Sequence, residues 1–340
     1  MNAYDLLRQE LGAEPRRWLI TGVAGFIGSH LLQTLLELDQ EVVGLDNYST
    51  GTPRNLADVQ GQVKAEQWER FTFHEGTVAD MSACRVASDR VDYVLHQAGF
   101  VSVPLSIEDP LGCHGTNVTG TLNLLIAARD NRVRRVVYAS SSAVYGDDAR
   151  LPKLESETGR ALSPYGASKR IGEIYARLFL DNYGLESIGL RYFNVFGPRQ
   201  NPKGGYAAVI PHWIAAQLRS EECVIHGDGT ATRDFCPIAD VVQANLLAAT
   251  ARGVHVAGEV FNVGLGRSLS LLDLHAMLSE TVAEFRSSAG MPARHGPSRA
   301  GDILHSAAEI EKIRRELGFE PATSITPALK ATVGWFAASQ

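Results

Sequence analysis

From Arg17 onward, short apolar runs rich in Val, Ile and Leu alternate with longer stretches whose apolar residues recur at helical spacing. The pattern predicts strands at Arg17–Thr21, Glu41–Asp46, Phe71–His74, Val91–Gln97 and Arg134–Ser140. Between them it predicts a helix over Phe26–Leu38, with Leu31, Leu32, Leu35 and Leu36 on one face, and a long helical segment over Pro110–Asn131. The strands show no polar alternation, which points to burial on both faces, as in a parallel sheet covered by helices. Right-handed crossovers then give a doubly wound α/β fold.

Past Leu185 the rhythm loosens. A strand at Ser187–Val195 runs into the Gly/Pro-rich stretch Gly197–Gly205, and helices are expected at Val209–Ser220, Ile238–Arg252, Leu271–Glu284, Ala307–Leu317 and Pro327–Phe336. Small strands are expected at Val224–His226 and Glu259–Val263, and Ser287–Arg299, rich in Pro, Gly and Arg, reads as a loop. The expected organisation is a larger domain over residues 17–195, to which roughly 227–265 return, and a smaller mixed α/β domain made mainly of 196–226 and 266–340. Residues 1–16 read as an amphipathic appendage ended by Gly12 and Pro15.

A chain of 340 residues suits one large domain or two tightly joined ones, and 45% hydrophobic with 21% charged residues is ordinary for a globular protein. A net charge of −6 and a pI near 5.9 leave no overall basic surface, so no nucleic-acid partner is expected. Cys84, Cys113, Cys223 and Cys236 lie far apart with no C-x-x-C pair. Neither a metal site nor a disulfide framework is signalled, and the pattern fits the reducing cytoplasm. Asp5 and Glu10 stand in the first turns without a long apolar core, and no apolar run approaches the roughly 20 residues that cross a bilayer, so no membrane attachment is expected.

The first candidate chemistry is Gly22-Val-Ala-Gly25-Phe-Ile-Gly28, directly after the first strand and opening the first helix. Gly22 allows a sharp turn, Gly25 lets a pyrophosphate approach the backbone, and Gly28 lets helix pack on strand. Asp46 ends the second strand, where a carboxylate can accept both ribose hydroxyls of an adenosine and repel a 2′-phosphate. Asn47, Tyr48 and Ser49 follow it, with no arginine. That combination predicts NAD rather than NADP on a Rossmann-type sheet.

The second is Tyr165-Gly-Ala-Ser-Lys169, which puts a phenol and an ammonium at i and i+4 on one helical face. Ser163-Pro164 before it is a helix start. A neighbouring positive charge favours phenolate and moves the tyrosine toward working pH. Ser141 and Ser142 stand at the carboxyl end of a predicted parallel strand, where such sheets build their sites.

These residues carry a resemblance. Trp18-Leu-Ile-Thr-Gly-Val-Ala-Gly-Phe-Ile-Gly, Gly44-Leu-Asp-Asn, Val94-Leu-His-Gln-Ala, Leu190-Arg-Tyr-Phe-Asn-Val-Phe-Gly and Tyr206-Ala-Ala-Val-Ile-Pro resemble the extended short-chain dehydrogenase/reductases, over almost the whole chain. Within them the chain is most similar to NAD-dependent nucleotide-sugar epimerases, above all the bacterial UDP-N-acetylglucosamine 4-epimerases of polysaccharide biosynthesis. The resemblance implies that the larger domain binds NAD and the smaller one the substrate. It makes Tyr165 the general base, Lys169 its electrostatic partner and Ser141 the third catalytic group. It places NAD against Gly22, Gly25, Phe26 and Ile27, against Asp46, Asn47, Ser49, Thr50 and Gly51, and against Gln97, Ala98, Lys169 and Tyr192. It places the UDP-sugar against Ser102, Ser142, Tyr165 and Asn194, against Ala208, Val209 and Trp213, and against His226, Arg233, Arg299 and Asp302. Arginines suit a diphosphate independently.

The implied reaction inverts C4 of the sugar: hydride leaves to NAD, a 4-keto sugar turns over in the pocket, and hydride returns to its other face. Departures from the family pattern fall at both ends of the site: Gly76-Thr77 lacks a carboxylate expected near the adenine, His96-Gln97-Ala98-Gly99 replaces a more usual double alanine, Val101 stands where these epimerases carry glycine, and Leu105 and Leu304 stand where they carry arginine. Val101 narrows the space for an N-acetyl group, whereas the small Ser306 leaves room for it. UDP-GlcNAc/UDP-GalNAc is the expected pair, with UDP-glucose/galactose or UDP-uronic acids as alternatives. A decarboxylase or dehydratase ranks lower because Ser142-Ala143 offers no acidic group, and a non-catalytic NAD-binding regulator is the reading from another class. The resemblance also implies a homodimer, through helices around Pro110–Asn131 and Ser163–Tyr183.

Overall fold

The computed structural model describes residues 2–202, 208–286, 292–297, 304–322 and 324–338. The predicted strands form β1 (Arg17–Thr21), β2 (Glu41–Asp46), β3 (Phe71–Glu75), β4 (Tyr93–His96), β5 (Arg135–Ser141) and β6 (Glu186–Tyr192). They belong to one seven-stranded parallel sheet, completed at its edge by Val260–Val263, in the order Val260–Val263, β6, β5, β4, β1, β2, β3. Trp18, Leu19 and Ile20 of β1 are wholly buried, as a strand covered on both faces requires. The strand order reverses at β1 and β4, so the crevice for a ligand opens beyond their carboxyl ends.

Helices Phe26–Glu37 and Ile238–Thr250 pack Leu31, Leu32, Leu35, Leu36, Val241 and Ala244 into the main core. A second core gathers Phe196, Trp213, Ile214, Ile225, Leu274, Leu278, Leu329 and Val333 around helices Val209–Leu218, Leu271–Phe285 and Thr326–Ala338. Ala308, Ile310, Ile313, Leu317 and Phe319, from the late part of the chain, pack into the main core.

Four expectations need correction. The N-terminal segment is helical over Ala3–Ala13, running through Gly12, and it buries Leu7 and Leu11 in the main core rather than standing apart from it. Phe193 interrupts the strand expected over Ser187–Val195, and Asn194–Phe196 pairs instead with Phe235–Pro237. Within Ser287–Arg299, Ala293–Gly296 is a strand, drawn into extended form by parallel pairing with Cys223–His226. The helix expected from Ala307 starts at Glu311, because Ala308 is extended and bridges to Lys153. The segment over Pro110–Asn131 is helical but contains a π turn at Gly115–Thr119 between Pro110–His114 and Gly120–Asp130. No described helix is long and apolar enough to cross a membrane.

Candidate active site

The glycine loop lies at the switch point. Gly22 has φ +71°, and a Cβ on it would stand 2.7 Å from the Ala98 backbone nitrogen, so only glycine lets β1 and β4 end this close together. A Cβ on Gly28 would meet the Gly22 carbonyl oxygen at 2.1 Å. Gly25 is the N-cap of Phe26–Glu37 and offers no side chain, which leaves the first-turn N–H groups of that helix to a ligand. Phe26 and Ile27 are half-buried in that turn. This tight glycine turn, with the free first-turn N–H groups beyond Gly25, fits a dinucleotide pyrophosphate. Gly28→Ala has no flexible side chain to displace, and the overpacking costs about 1–3 kcal/mol. The expected result is folded protein that leaves gel filtration without cofactor; a full complement of NAD would refute the assignment.

Asp46 does more than wait for a ribose. Its Oδ2 accepts the Ala24 N–H at 2.9 Å and its Oδ1 accepts the Tyr48 N–H at 2.7 Å, so it pins the glycine loop to the end of β2. Burial raises its carboxyl pKa, opposed by those backbone bonds. Asn47, Ser49 and Thr50 are exposed beside it, while Gly51 is buried against Ala24. Asn55, whose Nδ2 donates to the Ala24 carbonyl at 2.9 Å, belongs to the same support.

At the end of β4, Gln97 is drawn into a closed ring. Tyr192 Oη donates to Gln97 Oε1 at 3.1 Å, Gln97 Nε2 to Asn245 Oδ1 at 2.9 Å, and Asn245 Nδ2 to Tyr192 Oη at 2.8 Å. The ring fixes two residues expected near NAD, and Asn245 is a member the sequence did not reveal.

Ser163 caps the long helix Pro164–Tyr183 through Gly166 N–H, and Gly184 ends it in the left-handed region. Tyr165 is half-buried in its first turn, its N–H donating to Ser106 Oγ at 3.1 Å. Burial holds the phenol above its ordinary pKa, and a hydrogen bond with Ser141 pulls the other way. Lys169 Nζ donates to the Ala139 carbonyl at 2.8 Å and stands 5.9 Å from the Tyr165 ring centre. Burial lowers this ammonium to about 8. The movement of the phenol toward working pH expected from Lys169 is not seen in the ligand-free protein, where desolvation of the phenolate is the largest influence. Ser141 ends β5 with its Oγ accepting the Ala143 N–H at 3.1 Å, and Ser142 opens the 3₁₀ turn Ser142–Tyr145. Asn117, turned inward by the π helix, accepts the Phe100 N–H at 2.7 Å and donates to Ser168 Oγ at 2.9 Å. A Cβ on Gly99 would lie 3.2 Å from both Asn117 Oδ1 and Lys169 Nζ, so the segment after β4 runs against this cluster.

The residues expected at the sugar nucleotide are more scattered. Ser102 caps helix Val103–Glu108. Asn194 donates to the Asp234 carbonyl at 3.1 Å, and Arg233 Nη1 donates to the Thr232 and Leu304 carbonyls at 2.9 and 3.1 Å. Ser306 N–H donates to the Thr232 carbonyl, so the structure brings Arg233 together with the Leu304–Ser306 segment. Ala208, exposed, and Val209 begin helix Val209–Leu218. His226 Nδ1 meets the Pro297 carbonyl at 3.0 Å. Trp213 departs from expectation: it is 2% exposed, packed in the second core edge-on to His275, and has almost no surface left for a ligand. Arg299 and Asp302 lie outside the described residues.

Known proteins are similar to this chain over most of its length. A UDP-glucose 4-epimerase from Mycolicibacterium smegmatis is 35% identical over 322 residues, covering 94% of this chain and 98% of that one. A UDP-N-acetylglucosamine 4-epimerase from Methanobrevibacter ruminantium, solved in complex with UDP-N-acetylmuramic acid, superimposes with a TM-score of 0.87 at 35% identity, covering 96% of this chain and 99% of that one. A UDP-glucose 4-epimerase from Thermotoga maritima, solved with UDP-glucose, gives a TM-score of 0.84 at 34% identity, covering 95% and 99%. The model of the NAD dependent epimerase/dehydratase family matches residues 18–264, from the strand that carries the glycine loop to the edge strand of the sheet. With that match spanning the glycine loop, Ser141, Tyr165 and Lys169, the chain belongs to the NAD dependent epimerase/dehydratase family.

Proposed function

We propose that this protein is a 4-epimerase of UDP-sugars and that its preferred pair is UDP-GlcNAc and UDP-GalNAc. The observation that carries the reaction class is the convergence of Ser141, Tyr165 and Lys169 beside the carboxyl ends of β4 and β5, next to the glycine cradle. In this reading Tyr165 Oη takes the proton of the sugar 4-hydroxyl and later returns it, and Ser141 Oγ holds the same oxygen. Lys169 keeps its ammonium aimed from the next helical turn, anchored by the Ala139 carbonyl. NAD, when bound, supplies the hydride acceptor and donor, and its cationic oxidised ring adds the positive charge that favours phenolate. Arg233, with Arg299, would hold the diphosphate while the sugar turns over.

Dehydration needs a carboxyl group beside Ser141, and the described residues there support epimerisation instead. Asp147 accepts the Arg160 N–H at 2.7 Å and Asp148 pairs with Arg150 at 2.7 Å, so the nearest following acids are committed elsewhere. The N-acetyl preference draws on Ser306, small and next to the Arg233 strand, and is opposed by Val101, whose branched side chain is 64% exposed. The decisive experiment incubates the purified protein with UDP-GlcNAc, UDP-glucose and UDP-glucuronic acid and reads C4 configuration by NMR. Conversion of UDP-GlcNAc fastest supports the reading; a glucuronate preference, or loss of water from the sugar, would overturn it.

The two-core architecture supports the division into an NAD-binding domain and a substrate-binding domain, and we take the protein to act as a homodimer. Ile174 and Leu178, one turn apart on helix Pro164–Tyr183, and Leu111 on the neighbouring helix Pro110–His114 are exposed apolar side chains, which a second copy would cover. Ile174→Glu with Leu178→Glu should convert a dimer to a monomer in light scattering. An unchanged mass would move the interface elsewhere.

A further inference from the structure

We propose that His96 is a positioning residue, the centre of a buried hydrogen-bond relay that ties the cofactor crevice to the backbone of Tyr165. The relay begins at Ala98, whose N–H donates to Thr21 Oγ1 at 3.2 Å, immediately before the glycine loop. Thr21 Oγ1 meets His96 Nδ1 at 2.7 Å, and His96 Nε2 meets Thr121 Oγ1 at 3.0 Å. Thr121 Oγ1 reaches the Asn117 carbonyl at 2.6 Å, within the π turn. Asn117 Nδ2 donates to Ser168 Oγ at 2.9 Å, and Ser168 Oγ to the Tyr165 carbonyl at 2.8 Å. Thr21, His96, Asn117, Thr121 and Ser168 are all buried, so water does not compete for these bonds.

The proton inventory gives the relay one direction. The Asn117 carbonyl only accepts, so Thr121 donates to it and must receive the Nε2–H of His96. Burial and the Lys169 charge hold His96 down to about 3, hence neutral, and its Nδ1 accepts the Thr21 hydroxyl proton. Thr21 is then free to accept from Ala98. Both threonine hydroxyls donate once and accept once, and the imidazole has a single usable tautomer. The arrangement thus joins four separate segments: the end of β1, the end of β4, the π turn and the first turn of the catalytic helix. At that last point Tyr165 is gripped on both sides of its α-carbon, its N–H by Ser106 Oγ and its carbonyl by Ser168 Oγ.

The inference rests on Tyr165 being the base, and Tyr165→Phe tests that separately: an active Y165F enzyme removes the base, whereas an inactive one leaves the relay to be judged alone. The relay itself is tested by a double-mutant cycle on kcat, using Thr21→Val and Ser168→Ala, which sit at its two ends and share no partner. Distant groups normally contribute independently. Here each single variant should lose about tenfold or more in kcat, as misplacement of a reacting group does, and the double variant should lose little beyond the worse single one. KM for the UDP-sugar and NAD content should hold. Thr121→Val should lose kcat likewise and Thr121→Ser should restore it, which provides a second measurement if Thr21→Val does not fold. Losses that multiply in the double variant, or a fall in melting temperature with kcat per NAD-loaded site unchanged, would overturn the proposal.

Discussion

Replacing Tyr165 by Phe should lower epimerisation by about 10²- to 10⁴-fold, the usual contribution of a positioned acid–base group, while leaving NAD bound. The expectation of so large an effect comes from the surroundings of the phenol. It is half-buried, its main chain is fixed at Ser106 and Ser168, and Ser141 stands close enough to oppose the rise in its pKa. The phenylalanine ring keeps the packing, Lys169 keeps its bond to the Ala139 carbonyl, and the glycine cradle is untouched, so cofactor content and melting temperature should stay near those of the parent. Turnover measured by NMR, with NAD released from denatured protein as the control, checks both halves. Comparable turnover in the variant would assign the proton transfer to another group.

Most of the cofactor site was legible in the sequence because its signals are local. Gly22, Gly25 and Gly28 follow a strand and open a helix, Asp46 ends the next strand, and Tyr165 and Lys169 share one helical face; each relation is set by spacing within one or two elements. What escaped is what folding brings together from afar. Asn245 is 148 residues from Gln97, Thr121 is 25 from His96, and Ser106 is 59 from Tyr165. No periodicity reports such partners. The π turn that faces Asn117 inward has no composition of its own. Helices Pro53–Gln62 and Val103–Glu108 were not expected: Thr52 and Ser102 cap them and prolines stand in their first turns, but they are short and carry little periodic pattern. The strand Ala293–Gly296, spelled Ala-Arg-His-Gly, has little strand propensity and is extended because Cys223–His226 pairs with it. Trp213 shows the converse failure. The family resemblance implied a ligand contact for it, while its size and its position on an apolar helix sent it to the core.

Arg191→Met should be the most damaging single substitution for stability, at about 3–5 kcal/mol, because it strips a partner from a buried charge. Arg191 is wholly buried on β6, with Nε and Nη2 on the two carboxylate oxygens of Glu173 at 2.8 and 2.9 Å and Nη1 on Tyr145 Oη at 3.1 Å and the Glu155 carbonyl at 3.0 Å. Glu173 stands two turns after Tyr165 on the catalytic helix and also receives Ser140 Oγ, next to Ser141, at 2.7 Å. The pair therefore fastens the catalytic helix to the strand that ends at Ser141. Burial by itself would raise the Glu173 pKa; the Arg191 hydrogen bonds and charge, with Ser140 and Arg170, more than offset it and hold the carboxyl below the usual range. A depressed folded-state pKa gives stability that is complete above the unfolded value, about 4.3, and is lost as pH falls through the folded value. In Arg191→Met the sign reverses. Only Arg170 and the Ser140 hydroxyl then oppose burial, the carboxyl rises above its unfolded value, and the cost of keeping it charged is greatest near neutral pH. Acidification then protonates Glu173 and relieves the variant while it weakens the parent. The difference in unfolding free energy, followed by urea denaturation from neutral pH downward, should narrow steadily toward pH ~4.5. A gap that stays constant with pH would mean that lost packing of the guanidinium, and not the unpaired carboxylate, sets the cost.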